Sequence, residues 1–125
     1  MIAEHAGDEQ LIVFAASLDV LERYLFGMFD DDIRESLGLP FLDLPWDAES
    51  LADGFELTQM VRGFRALART GAGPVAAARD ATLSLVTLVP LSHFLRLDVS
   101  ALKHSFLSDD GSPLLMNGRY TSQGH

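Results

Sequence analysis

Cysteine is absent from this 125-residue chain, which removes disulfide frameworks, thiolate zinc sites and a cysteine nucleophile from consideration. Lysine is nearly absent: Lys103 stands alone beside eight Arg, and nine bases face eighteen acids for a net charge of −9. Binding to a phosphate backbone needs a positive footprint that this balance lacks, so nucleic acid is excluded as a partner class. Long apolar runs are also missing. The longest, Leu83 to Leu91, is broken by Ser84, Thr87 and Pro90 and falls well short of the ~20 residues that span a bilayer. Glu4, Asp8 and Glu9 precede the first apolar run, the reverse of the basic opening of a secretion signal. Together these absences point to a soluble protein of a reducing cytoplasm with no membrane partner.

What is present suits one folded domain. Apolar residues make up 48% of the chain, with eight Phe, two Tyr and one Trp, and a chain of this length buries roughly two-thirds of its unfolded surface. An ordered core is expected from about residue 10 to 116, with loose ends. The charge is lopsided. Residues 1 to 56 hold fourteen acids against Arg23 and Arg34, a net of −12, while residues 57 to 125 hold four acids against seven bases, a net of +3. An acidic first half keeps a small domain soluble, and it also suits a basic protein partner.

Leu11 to Ala16 reads as a strand after a frayed polar end at residues 1 to 9. Ser17 then caps a helix whose apolar positions, Leu18, Leu21, Leu25, Met28, Phe29, Ile33 and Leu37, recur at helical spacing. Gly38 and Pro40 end it. Proline bounds Phe41 to Trp46, predicting an extended segment, and a helical turn follows at Asp47 to Ala52. Residues 55 to 70 support two periods. Leu57, Met60, Val61, Phe64, Leu67 and Ala68 fit an amphipathic helix. Gly63 would weaken that helix by ~1 kcal/mol, and the glycine spacing favours three strands, Phe55 to Val61, Phe64 to Thr70 and Val75 to Arg79. Thr82 to Val89, apolar on both faces and closed by Pro90, reads as a buried strand. Ser92 and Asp98 are candidate caps for short C-terminal helices, and Leu114 to Thr121 around Asn117-Gly118 for a hairpin. The expected class is α+β: a small antiparallel sheet, hairpin or meander, packed with a long N-terminal helix and short C-terminal helices.

No constellation for chemistry stands out. His5 and His125 lie near the ends, and neither His93 nor His104 sits in a metal-binding spacing, so structural roles are the simpler reading of both. Asp30-Asp31-Asp32 lacks the alternating ligands, the glycine and the closing glutamate of a calcium loop. A solvated helix face explains it, with an electrostatic docking patch as the sharper alternative. Gly71-Ala72-Gly73 lacks the lysine of a phosphate loop, and no G-x-S-x-G elbow occurs. The chain therefore reads as a non-enzyme with no cofactor and no metal. Trp46, beside Pro45 and Asp47, is a candidate interface anchor as well as a core residue. With Asp30, Asp31, Asp32, Asp47, Glu49 and Asp53 it makes up the candidate partner-binding set.

The order of motifs resembles the immunity proteins of bacterial polymorphic toxin systems, specifically the immunity protein 61 type. The residues that carry the resemblance are Leu21-Glu22-Arg23-Tyr24-Leu25, Arg34, Leu37-Gly38-Leu39-Pro40, Asp53-Gly54-Phe55-Glu56-Leu57, Ser92 with Phe94-Leu95, and Ser105-Phe106-Leu107 leading to Asp110-Gly111-Ser112-Pro113-Leu114. The resemblance implies a non-enzymatic inhibitor in the cytoplasm of the producing cell that occludes the active site of a cognate toxin, one known partner type being an NAD-degrading necrotising toxin domain. It also implies a strand at Gly54-Phe55. Two other readings stay open at this point: a self-associating regulatory or assembly domain that buries Trp46 in a homodimer, and a small-molecule binder or hydrolase built on His93 or His104.

Overall fold

The computed structural model describes residues 2–5, 11–39, 42, 44–116 and 119–120, with the backbone path alone for 2–5, 11–13, 30 and 31. Five strands form one antiparallel sheet in the order β1-β2-β5-β4-β3, from β1 (Ile2–His5), β2 (Leu11–Ala15), β3 (Phe55–Leu57), β4 (Phe64–Arg69) and β5 (Gly73–Arg79). Helix α1 (Leu18–Ser36) follows β2, α2 (Leu83–Phe94) follows β5, and α3 (Val99–Leu107) precedes a two-stranded hairpin of β6 (Leu115–Met116) and β7 (Arg119–Tyr120). The helices share one side of the sheet. Helix α2 lies directly on β4 and β5, and α1 packs on both α2 and α3. The α+β class read from the sequence is the one observed.

Glycine and capping chemistry set the boundaries that sequence reasoning located. Ser17 caps α1 by accepting from the Val20 N–H, and Gly38, at φ +70°, ends it. There Leu39 N–H reaches Arg34 O at 2.8 Å and Gly38 N–H reaches Glu35 O at 3.1 Å, a Schellman closure. Residues 55 to 70 follow the sheet reading rather than the helical one, although β3 stops at Leu57 and Val61 joins only through an isolated bridge to Phe64. Arg62 (φ 53°) and Gly63 (φ 84°) make a two-residue turn closed by reciprocal Val61 and Phe64 backbone bonds of 2.7 and 3.0 Å, a primed geometry that matches strand twist and that a helix cannot contain. Asp98 caps α3 through the Ala101 N–H. The turn expected at Asp47 to Ala52 is a short 3₁₀ helix at Ala48–Ser50. The expected break at Pro40 and the Asn117-Gly118 turn lie outside the described residues.

Two expectations are corrected. Residues Ile2–His5 are not a frayed end but an edge strand, registered Ile2 to Phe14 and His5 to Leu11. More consequentially, the run from Thr82 to Val89 is helix α2, with Pro90 inside it and Ser92 a helical residue rather than a cap. A short run apolar on all sides cannot be assigned by period, since a strand and a helix buried all round both produce it. Here the helix is enclosed: Leu88, Val89, Leu91 and Phe94 are each at most 3% exposed. Pro90 removes one bond to the Val86 carbonyl. Asp80 supplies the cap that the sequence did not advertise, its Oδ1 accepting from Thr82 and Leu83 N–H. Those two bonds hold its carboxyl below the usual carboxylate range.

Two contacts hold α1 in place. Gly27 lets the helix approach α2 so closely that a Cβ there would stand 2.5 Å from the Phe94 ring, which is itself fixed edge-on to Phe106 with centroids 5.5 Å apart. Arg34, 1% exposed, crosses to the end of α3 and donates to Phe106 O at 2.9 Å, Ser108 O at 2.6 Å and Asp109 O at 3.0 Å. A guanidinium there satisfies carbonyls that the helix leaves open and meets the negative end of its dipole. Gly27→Ala should destabilise the fold by about 1–3 kcal/mol in denaturant titration, although alanine is the better helix former. Arg34→Met should cost about 3 kcal/mol by the same measurement, with Arg34→Lys recovering only part of it because an ammonium cannot span three acceptors in a fork.

Candidate partner-binding surface

The segment between α1 and β3 has little regular structure, yet its backbone is bonded at several points to the second half of α2. Ser92 Oγ donates to Val89 O at 2.6 Å and accepts from the Ala52 N–H at 3.1 Å. His93 Nε2 lies 2.6 Å from Ser50 O, and an acceptor at that distance places the ring proton on Nε2. Arg96 donates to Asp53 O at 2.7 Å, and Tyr120 OH donates to Pro45 O at 2.7 Å. The Tyr120 ring stacks on His93 with centroids 3.6 Å apart and planes 9° from parallel. Leu44 and Leu51 add apolar contact with the core.

With its backbone so occupied, residues 44–53 turn their larger polar side chains outward. Trp46 is 43% exposed, and Asp47, Glu49 and Asp53 are exposed. Asp47 accepts a hydrogen bond from Ser50 Oγ, which helps to hold the 3₁₀ turn. Such a loop presents an indole and three carboxylates in a fixed arrangement, which lowers the ordering cost of binding a partner. The remaining members of the sequence-derived set lie elsewhere. Asp30, Asp31 and Asp32 belong to α1, where Asp32 is exposed and the side chains of the other two are outside the description. The acidic set is therefore divided between a helix and a clamped loop. All twelve carboxylates whose burial is described are exposed.

The histidines resolve differently. His93 is wholly buried, and burial, reinforced by the Arg96 charge, pushes its pKa down to about 4 against the opposing pull of Ser50 O and Asp53. His104 is exposed in the last turn of α3. Among the described residues no three His, Asp or Glu side chains gather as metal ligands do, and no single helix is long and apolar enough to cross a membrane. Sequence reasoning missed the clamp itself, because Ser92 reads as a helix cap and Arg96 and Tyr120 carry no motif. Arg34 did leave a signal: it falls at the spacing of Val20, Tyr24 and Gly27, on the core side of α1.

Comparison with known proteins places this geometry among relatives. A family model described as Immunity protein 61 matches residues 2–114. The immunity factor for TNT of Mycobacterium tuberculosis is 34% identical over 102 residues, covering 80% of this chain and 56% of the relative. A homolog of that factor in Mycobacterium bovis gives the same figures. The chain thus spans little more than half the length of these relatives. A solved structure, Rv3902c from M. tuberculosis, superposes with a TM-score of 0.69 at 29% identity, over 90% of this chain and 70% of that one.

Below its ordinary value of 6.5, the unfolded chain protonates His93 while the folded chain resists until pH is near 4. The contribution of His93 is thus complete above about pH 6.5 and declines by as much as roughly 3 kcal/mol as pH falls toward 4. Denaturant titrations across that window should show the loss. His93→Gln, which keeps a donor for Ser50 O, should flatten it.

Proposed function

The chain belongs to the immunity protein 61 family, and from that premise we propose that it is a toxin immunity protein that binds a cognate toxin domain and blocks its active site without performing chemistry. The partner is a basic domain of the TNT kind, NAD-degrading as the family resemblance implies, met in the cytoplasm of the cell that makes it. What carries the reading is the pairing of a rigid, outward-facing Trp46 loop with a surface on which every described carboxylate is exposed. An inhibitor needs shape and charge complementary to its target rather than a catalytic group of its own. Trp46 is the anchor of that contact, and the exposed Asp47, Glu49 and Asp53 give the same loop negative charge. The Asp30-Asp31-Asp32 run on α1 adds long-range attraction for a basic partner.

Co-expression of the chain with a TNT-type toxin domain of its own host, in cells the toxin kills, should preserve both growth and cellular NAD, and the two purified proteins should form a complex. Trp46→Ala should weaken that complex by about 2 kcal/mol. Changing Asp47, Glu49 and Asp53 to the corresponding amides should slow association about tenfold at low salt and reduce its salt dependence. The same treatment of Asp30, Asp31 and Asp32 measures the share of the helix patch. Cell death and NAD loss despite soluble, folded chain would refute the proposal.

A further inference from the structure

Helix α1 is apolar on two sides. Val20, Tyr24, Gly27 and Arg34 follow one face, and the first two are at most 6% exposed while Gly27 abuts Phe94 and Arg34 reaches α3. Leu18, Leu25, Phe29 and Ile33 recur on the opposite face at intervals of seven, four and four residues. There they line an open groove of about 560 Å³ together with Leu21, Phe26, Asp19 and Glu22. Leu18 is 70% exposed and Phe29 49%. Leu21, Leu25 and Phe26 also pack against the core at the edge of this face, and a surface helix normally has a single apolar stripe, directed at the core, so it is the exposed Leu18 and Phe29 that need another explanation. Every described lining residue belongs to α1 itself, so the groove is a shallow, open face of one helix rather than an enclosed pocket.

The charge around the groove selects the occupant. Asp19 and Glu22 are exposed within its lining. The Arg23 guanidinium, which lies between them in sequence, is bonded to Leu97 O and to the Asp19 carbonyl rather than to either carboxylate. Asp32 and Glu35 are exposed farther along the same helix. One base lies close, Lys103, its ammonium 5.8 Å from the centre of the Phe26 ring. Apolar walls with acids at one end fit an apolar side chain flanked by lysine or arginine.

We infer that the α1 groove is a second contact for the toxin domain and receives an amphipathic segment whose apolar side chains enter between Leu18, Leu25, Phe29 and Ile33 while a neighbouring base meets Asp19 and Glu22. This rests on the immunity reading above and extends the contact from the Trp46 loop to a helix face. Occupation follows the helix-in-groove mode, in which anchors spaced along one face give affinity and flanking charges give orientation.

The test uses the full chain and the toxin domain against which it protects cells. Leu18→Ser/Phe29→Ser alters only exposed side chains, so its thermal midpoint should stay close to the parent's, while affinity falls at least about thirtyfold, chiefly through faster dissociation. Asp19→Asn/Glu22→Gln, which leaves the apolar walls intact, should slow association about fivefold at low salt and flatten the salt dependence. If both double variants bind as the parent does while Trp46→Ala weakens binding, the groove inference is overturned and the immunity reading stands. If the parent protects against no TNT-type toxin, the immunity reading falls and the inference falls with it. A concentration-dependent dimer in sedimentation, lost in Leu18→Ser/Phe29→Ser, would assign the groove to a second copy of this chain and overturn the inference.

Discussion

The placement of the outward surface depends on the buried guanidinium of Arg34. It joins the last third of α1 to the carbonyl end of α3 through three acceptors, and those acceptors continue into the turn that leads to the final hairpin. Within that turn Ser108 Oγ lies 3.1 Å from both Ser105 O and Ser112 O, which share its one proton, and Ser105 Oγ accepts from the Leu114 N–H. The hairpin in turn delivers Tyr120 to its stack on His93 and its bond to Pro45 O. A continuous polar path therefore runs from the last turn of the first helix to the loop that carries Trp46. A buried cation is costly unless fully bonded, and here the end of a helix supplies both the acceptors and the favourable dipole.

The sequence disclosed elements that punctuation defines and misassigned one that burial defines. Ser17 and Gly38 marked α1, and Gly63 with Gly71 and Gly73 separated the strands of the central sheet, because caps and positive-φ turns constrain residue type locally. Helix α2 carries no such mark. Its run of Leu, Val and Thr follows from being enclosed by sheet, helix and loop, and Pro90 suggested a terminus where the chain in fact continues. Strand β1 was hidden for a related reason: an edge strand pairs along one side only, and its register with β2 is a tertiary fact.

The acids of the candidate surface were legible as composition, since charge asymmetry requires no fold to see. Their arrangement was legible only in part. The sequence already put the Asp30 to Asp32 run on a helix and the later acids in a turn, but only the folded chain shows that the loop is fixed by Ser92, His93, Arg96 and Tyr120. The apolar stripe of α1 carried a further ambiguity. Its helical spacing is real, yet Leu18 and Phe29 within it lie on an open groove while the tighter core face runs through Val20, Tyr24 and Gly27. A pattern of apolar residues identifies a helix face without saying what covers it. In proteins that work by recognition, core and contact surface draw on the same residue types.

Hydrogen–deuterium exchange on the chain, free and mixed with the TNT-type toxin domain proposed as its partner, tests most directly the proposal that it is an inhibitor acting through the Trp46 loop and α1. The account predicts slowed exchange over residues 44–53 and along α1, with the turn at Arg62-Gly63 unchanged. Protection confined to the sheet turns, with no change in the loop or in α1, would contradict it.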